Sequence, residues 1–218
     1  MTQGATHHTL RARLLAVEAA HAARPALWVE DHRLSYQQLF ADARALASQI
    51  DATSDPGLPV GLYCQRDRIS LVGILAAVLS GRPYVPLNPG FPPERLAAII
   101  GIARPGTILC SGQTRAAALE LLPELSPGIA LFDETGLIGR GHGAEFGPKD
   151  DPTADMAEPT AYMMFTSGTT GTPKGVRVLE RNVLAYLDGT RRSRQSGPVT
   201  GPRSSSTCPL TFRSMTYL

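Results

Sequence analysis

The stretch Thr166-Ser167-Gly168-Thr169-Thr170-Gly171-Thr172-Pro173-Lys174-Gly175 packs hydroxyls, glycines and one lysine together. That combination suits a polyphosphate. Glycines let the backbone approach closely and turn its N–H groups inward. Hydroxyls donate further hydrogen bonds, and a lysine on a flexible stem supplies a point charge for the outer phosphates. It is not a Walker A loop: Pro173 stands where that pattern wants glycine, and Gly175 follows the lysine where Ser or Thr is wanted. On residue types alone, a flexible Gly/Thr turn stays open as the alternative.

Such a loop needs elements to hold it. The apolar run 161–165 before it and Gly-Val-Arg-Val-Leu after it (175–179) both read as strands, giving a strand–loop–strand clamp. Upstream, Leu10, Leu14, Val17 and His21 recur at helical spacing over 10–23. A short strand at 26–30 turns at Asp31-His32. Ser35 with Gln38 forms a capping box for a helix carrying Leu39, Ala43, Leu46 and Ile50 on one face.

Strands at 59–64, 83–87, 107–110 and 129–132 then alternate with helices at 68–80, 94–103 and 113–122. This order predicts an α/β fold with a doubly wound parallel sheet. Residues 133–158 are glycine-rich without a sustained period and are expected to be a surface linker.

Composition excludes several classes. The chain has 218 residues, 43% hydrophobic, 18% charged and a formal net charge of +2. The positive excess comes from Arg191, Arg192, Arg194, Arg203 and Arg213, after which no acid balances them, so the body before them is mildly acidic. That offers no groove for a nucleic-acid backbone. Cys64, Cys110 and Cys208 are widely spaced, without a disulfide framework or zinc pattern. His7-His8 reads as a solvated tail, and no metal ligands are assigned. The longest apolar run, 71–79, falls short of the ~20 residues a membrane span needs. With no signal-peptide core at the start, the expected location is the cytoplasm.

The 166–175 stretch closely resembles the phosphate-binding signature of the adenylate-forming (AMP-binding) superfamily. Leu34 to Ala47 resembles an early helix of such enzymes. Gly81 to Ile100 resembles their second core motif, and its Tyr-Val-Pro-Leu-Asn-Pro run (84–89) leans toward the amino-acid-activating branch, as in nonribosomal peptide synthetase adenylation domains. The resemblance implies an N-terminal portion of that fold. It implies ATP and Mg²⁺, a small carboxylic acid as substrate, and a thiol acceptor, either coenzyme A or the phosphopantetheine of a carrier protein. Thr166, Ser167, Gly168, Thr169, Thr170 and Gly171 would hold the ATP phosphates, and Lys174 would stabilise departing pyrophosphate.

Departures from the family pattern limit what is carried over. Glu180 stands where relatives commonly have His; at the start of a helix it is expected to face solvent, where negative charge is favourable. The later magnesium-binding Glu, the ribose-binding Asp and the C-terminal lysine have no counterpart, so no catalytic residue is assigned. Domain boundaries are expected at 1–9 (flexible), 10–192 (partial AMP-binding domain) and 193–218, a Ser-, Pro- and Arg-rich tail that reads as disordered or as the product of a frameshift or truncation. The expected activity is that of a ligase fragment inactive alone, with an acyl-CoA synthetase fragment or a non-catalytic remnant as alternatives. Parallel strands with an uncovered edge and face would make the isolated chain behave poorly.

Overall fold

The computed structural model describes residues 9–29, 31–145, 158–166 and 172–196, with the side chains of 122 and 192–196 left aside. Two compact units divide the chain, one through Leu184 and one from Ala185.

The first helix, α1 (Leu10–His21), is capped by Thr9, whose hydroxyl accepts from Ala12 N–H. A separate antiparallel hairpin follows, β1 (Pro25–Val29) with β2 (His32–Ser35). The capping box read from Ser35 and Gln38 is present and opens α2 (Tyr36–Thr53). Phe40, Ala43, Leu46, Ala47 and Ile50 form its buried stripe. Burying Phe40 and Ile50 contributes about 1.5–3 kcal/mol each.

Next come β3 (Val60–Tyr63), α3 (Arg68–Leu79), β4 (Tyr84–Pro86), α4 (Pro93–Ala103), β5 (Thr107–Cys110), α5 (Arg115–Leu121) and β6 (Ala130–Asp133). Helix α3 is apolar nearly all round and accordingly buried nearly all round. A side chain at Gly73 would overlap Leu109 and Leu62, so this glycine sets how closely α3 lies on the sheet. Gly81, at φ +68°, ends the helix as its sequence position suggests. Arg104 takes the corresponding left-handed position after α4 (φ +47°), which nothing in its residue type announces.

The linker expected over 133–158 is corrected in part. Residues Gly136–Arg140 form a strand, β7, folded back antiparallel on β6 through a tight turn at Asp133–Gly136, with Gly136 at φ +119°. Its five residues carry no clean alternation, which hid it. Residues 146–157 lie outside the described set. The sheet is completed by β8 (Thr160–Thr166) and β9 (Lys174–Leu179), and α6 (Glu180–Ser196) follows.

The strand order is β7-β6-β5-β3-β4-β8-β9. Strands β6, β5, β3, β4 and β8 are parallel, and β7 and β9 close the two edges antiparallel. One apolar cluster joins α2 and α3 to one face; the other joins α4 and α5 to the opposite face. The sheet is therefore doubly wound, and β3, β5 and β6 are buried throughout. This corrects the expectation of an uncovered face on the early strands; the exposed edge belongs to β9, whose first half is solvent-facing.

Candidate functional site

The clamp is an antiparallel hairpin, as the strand–loop–strand reading requires. Thr166, the last residue of β8, is paired with Lys174, the first of β9. Directly opposed residues sit about 4.5–5.5 Å apart at Cα and share one face of the sheet. A hydroxyl and an ammonium group thus flank the mouth of the 167–173 connection, and both residues are exposed. Ser167, Gly168, Thr169, Thr170 and Gly171 lie outside the described residues. Because β8 runs parallel to β4, the connection leaves from the carboxyl edge of the sheet, the edge at which open α/β sheets take their ligands.

Gly175 has a role the sequence reading did not separate from phosphate approach. A methyl group there would stand 3.1 Å from Cε1 and 3.2 Å from Cζ of Phe165, its cross-strand partner. The ring lies across the bare backbone, which fixes the hairpin immediately behind the Thr166–Lys174 pair.

The far end of the hairpin is laced by polar contacts. Arg181 pairs with Glu158 at 2.8 Å, Glu180 N–H donates to the Pro159 carbonyl at 2.9 Å, and Arg177 Nε donates to Thr160 Oγ1 at 3.1 Å. Asn182 Oδ1 accepts from Leu179 N–H at 3.1 Å. The solvent-facing expectation for Glu180 is corrected: its Oε2 accepts from Leu10 N–H at 3.2 Å, and the residue is half-buried. It lies six positions after Lys174, about 20 Å at strand rise. That is more than twice the ~8 Å screening length at physiological salt, so repulsion of a phosphate held at Lys174 is negligible.

The 81–100 motif positions the hairpin. Tyr84 and Tyr162 are the paired residues of β4 and β8, and their rings stack at 5.3 Å with a 26° tilt. Burial, then the neighbouring Tyr162, pushes the Tyr84 phenol well above its ordinary value, so it stays neutral. Two residues before Tyr84, the buried Arg82 guanidinium donates to Asp51 Oδ1 (3.1 Å) and to the carbonyls of Ser54 (3.0 Å), Asp55 (2.5 Å) and Leu58 (3.2 Å). It ties the end of α2 and the following loop to the start of β4. No sequence pattern marked Arg82 as buried, since arginine is ordinarily exposed.

The topological switch lies elsewhere, between β3 and β5. That crevice is filled from within: Thr114 Oγ1 donates to the Tyr63 carbonyl at 2.8 Å and accepts from Ser111 N–H at 3.0 Å. Asp67, also buried, is spent on capping α3. Nearby, burial raises the Cys110 thiol to about 12, with Asp133 and Glu134 adding to the rise, and burial likewise raises Cys64. Neither is a nucleophile at neutral pH. Among the described residues no group of three His, Cys, Asp or Glu could hold a metal ion, and no helix is long and apolar enough to cross a membrane.

The sequence matches the family described as AMP-binding enzyme over residues 15–215. The chain belongs to this family. The matched span includes the β8–β9 hairpin and most of the tail that composition sets apart. Indigoidine synthase of Dickeya dadantii is 33% identical over 184 residues, covering 83% of this chain and 12% of that protein. Nonribosomal peptide synthetase 7 of Gibberella zeae is 30% identical over 182 residues, covering 78% of this chain and 4% of that protein.

Among solved structures, the Vibrio cholerae adenylation domain AlmE in complex with glycyl-adenosine-5'-phosphate superposes with a TM-score of 0.68 at 21% identity, over 88% of this chain and 39% of that one. The Bacillus subtilis O-succinylbenzoate coenzyme A synthetase in complex with AMP gives 0.63 at 22% identity, over 83% and 45%. The chain thus has the N-terminal fold of adenylate-forming enzymes, and it spans less than half of each of these relatives.

Proposed function

We propose that this chain is part of a ligase that activates a carboxylic acid, an amino acid in the first place, as its acyl-adenylate. The observation that carries the reading is the Thr166–Lys174 pair at the mouth of the 167–173 connection, on the carboxyl edge of the sheet and inside the family match. In the reaction, a carboxylate oxygen attacks the α-phosphorus of ATP. The bond from that phosphorus to the β-phosphate bridging oxygen breaks, and pyrophosphate leaves with the electron pair. The Lys174 ammonium is placed to stabilise that developing charge, and the Thr166 hydroxyl donates to a phosphate oxygen. Ser167, Gly168, Thr169, Thr170 and Gly171 complete the cradle in this reading. A thiol, of a carrier protein's phosphopantetheine or of coenzyme A, then attacks the acyl carbon and releases AMP.

Mg²⁺ would enter with the nucleotide, shielding phosphate charge when bound; the described residues supply no ligand cluster for it. Relatives that are nonribosomal peptide synthetases, together with the 84–89 run, favour an amino acid over a fatty acid. The coenzyme A synthetase likeness keeps an acyl-CoA synthetase as the second reading. We place the protein in the cytoplasm, where ATP is supplied, and infer that the 218-residue chain alone holds polyphosphate without turning over. ATP–pyrophosphate exchange with pooled amino acids and with pooled fatty acids, beside Lys174→Ala, tests this. No exchange from folded protein agrees with the inference. Exchange that Lys174→Ala abolishes overturns the inactivity of the lone chain, and the pool that supports it names the substrate class.

A further inference from the structure

Helix α1 enters the body at an end that is unusually well satisfied. The first N–H groups of any helix lack partners within it. Here Ala12 N–H donates to Thr9 Oγ1 and Arg13 N–H to the Thr9 carbonyl, both at 3.1 Å. Leu10 N–H donates to Glu180 Oε2, a partner 170 positions away. Leu10 is also the one buried residue of α1. Glu180 in turn begins α6 directly after β9, and its own N–H holds Pro159 at the start of β8. One residue therefore touches the first turn of α1 and both strands' ends at the base of the phosphate hairpin. A carboxylate is well suited to that place, since it accepts strongly and meets the positive ends of helix dipoles.

We propose that Glu180 is a positioning residue that anchors α1 to the base of the β8–β9 hairpin and thereby steadies the Thr166–Lys174 mouth. The anchoring stands on the contacts alone; the link to phosphate affinity rests on the adenylating function proposed above. Since Glu180 and Lys174 are separated by about 20 Å, the effect travels through the strand and not through the field of the charge. At the mouth, the anchoring matters and the field of the Glu180 charge does not.

The test compares Glu180→Ala and Glu180→Gln in the full chain. It reads amide exchange over residues 9–13 and equilibrium affinity for pyrophosphate. Glu180→Ala is expected to speed exchange there about tenfold, the loss of one charge-assisted bond, and to weaken pyrophosphate binding several-fold. Glu180→Gln keeps an oxygen that accepts from Leu10 N–H but loses the charge assistance, so exchange should speed only about threefold while pyrophosphate binding stays within about twofold of the parent. Unchanged exchange in Glu180→Ala overturns the anchoring. Glu180→Gln matching Glu180→Ala, or binding pyrophosphate more tightly than the parent, overturns the acceptor role in favour of charge. Faster exchange with unaltered affinity in Glu180→Ala overturns the coupling. If the parent chain does not bind pyrophosphate, the coupling falls with the adenylating reading, while the exchange comparison still decides the anchoring.

Discussion

Replacing Arg82 by Met keeps most of the stem's volume and removes every donor. Three carbonyls, of Ser54, Asp55 and Leu58, then lose a partner, as does Asp51. Bonds to a charged group contribute about 1.5–3 kcal/mol each, but the five bonds from this guanidinium, the fifth a long one to Ser54 Oγ at 3.4 Å, do not add independently. The Asp51 side chain is 52% exposed, so that ion pair contributes no more than about 1 kcal/mol. The carbonyls are partly reached by water, which recovers some of the loss.

The expected cost is about 3 kcal/mol for Arg82→Met. Arg82→Lys, which can reach one or two of these acceptors, should lose about half as much, and Asp51→Asn should cost under about 1 kcal/mol. Urea unfolding followed by far-ultraviolet circular dichroism measures all three. A cost below 1 kcal/mol for Arg82→Met, or an equal cost for Asp51→Asn, would refute the view that the guanidinium acts mainly through backbone carbonyls.

Other consequences follow from the same contacts. Burial by itself pushes the Asp133 carboxyl up, but the Thr135 hydroxyl (2.6 Å) and N–H (2.7 Å), with Arg115, outweigh it and hold the group below the ordinary carboxylate range. Its stabilisation is therefore full above about pH 4, the unfolded value, and is lost as pH falls through the lower folded one. Acid titration of stability should show that loss in the parent and a flatter profile in Asp133→Asn. Tyr84→Ala should cost about 3–5 kcal/mol by unfolding and loosen β8 and β9 in amide exchange more than β3 and β5. At pH 8 Cys110, buried, and Cys64, half-buried with a raised thiol, should resist an aromatic disulfide reagent in native protein and react in denaturant; rapid native labelling of either contradicts this.

Much of this fold could be read in advance because its signals are local. Ser35 with Gln38, Gly81 and the Pro92-Pro93 pair fix helix ends by short-range chemistry, and the helices start and stop close to where they indicate. The apolar run of β5 marks a strand buried throughout, and that of β8 a strand flanked by β4 and β9 and buried in part. What escaped depends on partners distant in sequence. Strand β7 exists because β6 offers an edge, and its residues Gly-Leu-Ile-Gly-Arg have no period of their own. Arg82 is buried because α2 ends beside it. Glu180 was read from its own helix, whereas its partner is Leu10. In the candidate site, the motif gave the residues and the hairpin gave the Thr166–Lys174 pairing, but Gly175 and Tyr84 revealed their packing roles only once Phe165 and Tyr162 stood opposite them.

The central claim is that the hairpin mouth holds a polyphosphate. Calorimetric titration of the purified chain with pyrophosphate and with ATP, for the parent and for Lys174→Ala, tests it most directly. The account predicts saturable binding by the parent and a loss of about 10- to 100-fold in Lys174→Ala, the cost of one charge-assisted contact. Equal affinity in the two proteins would contradict it.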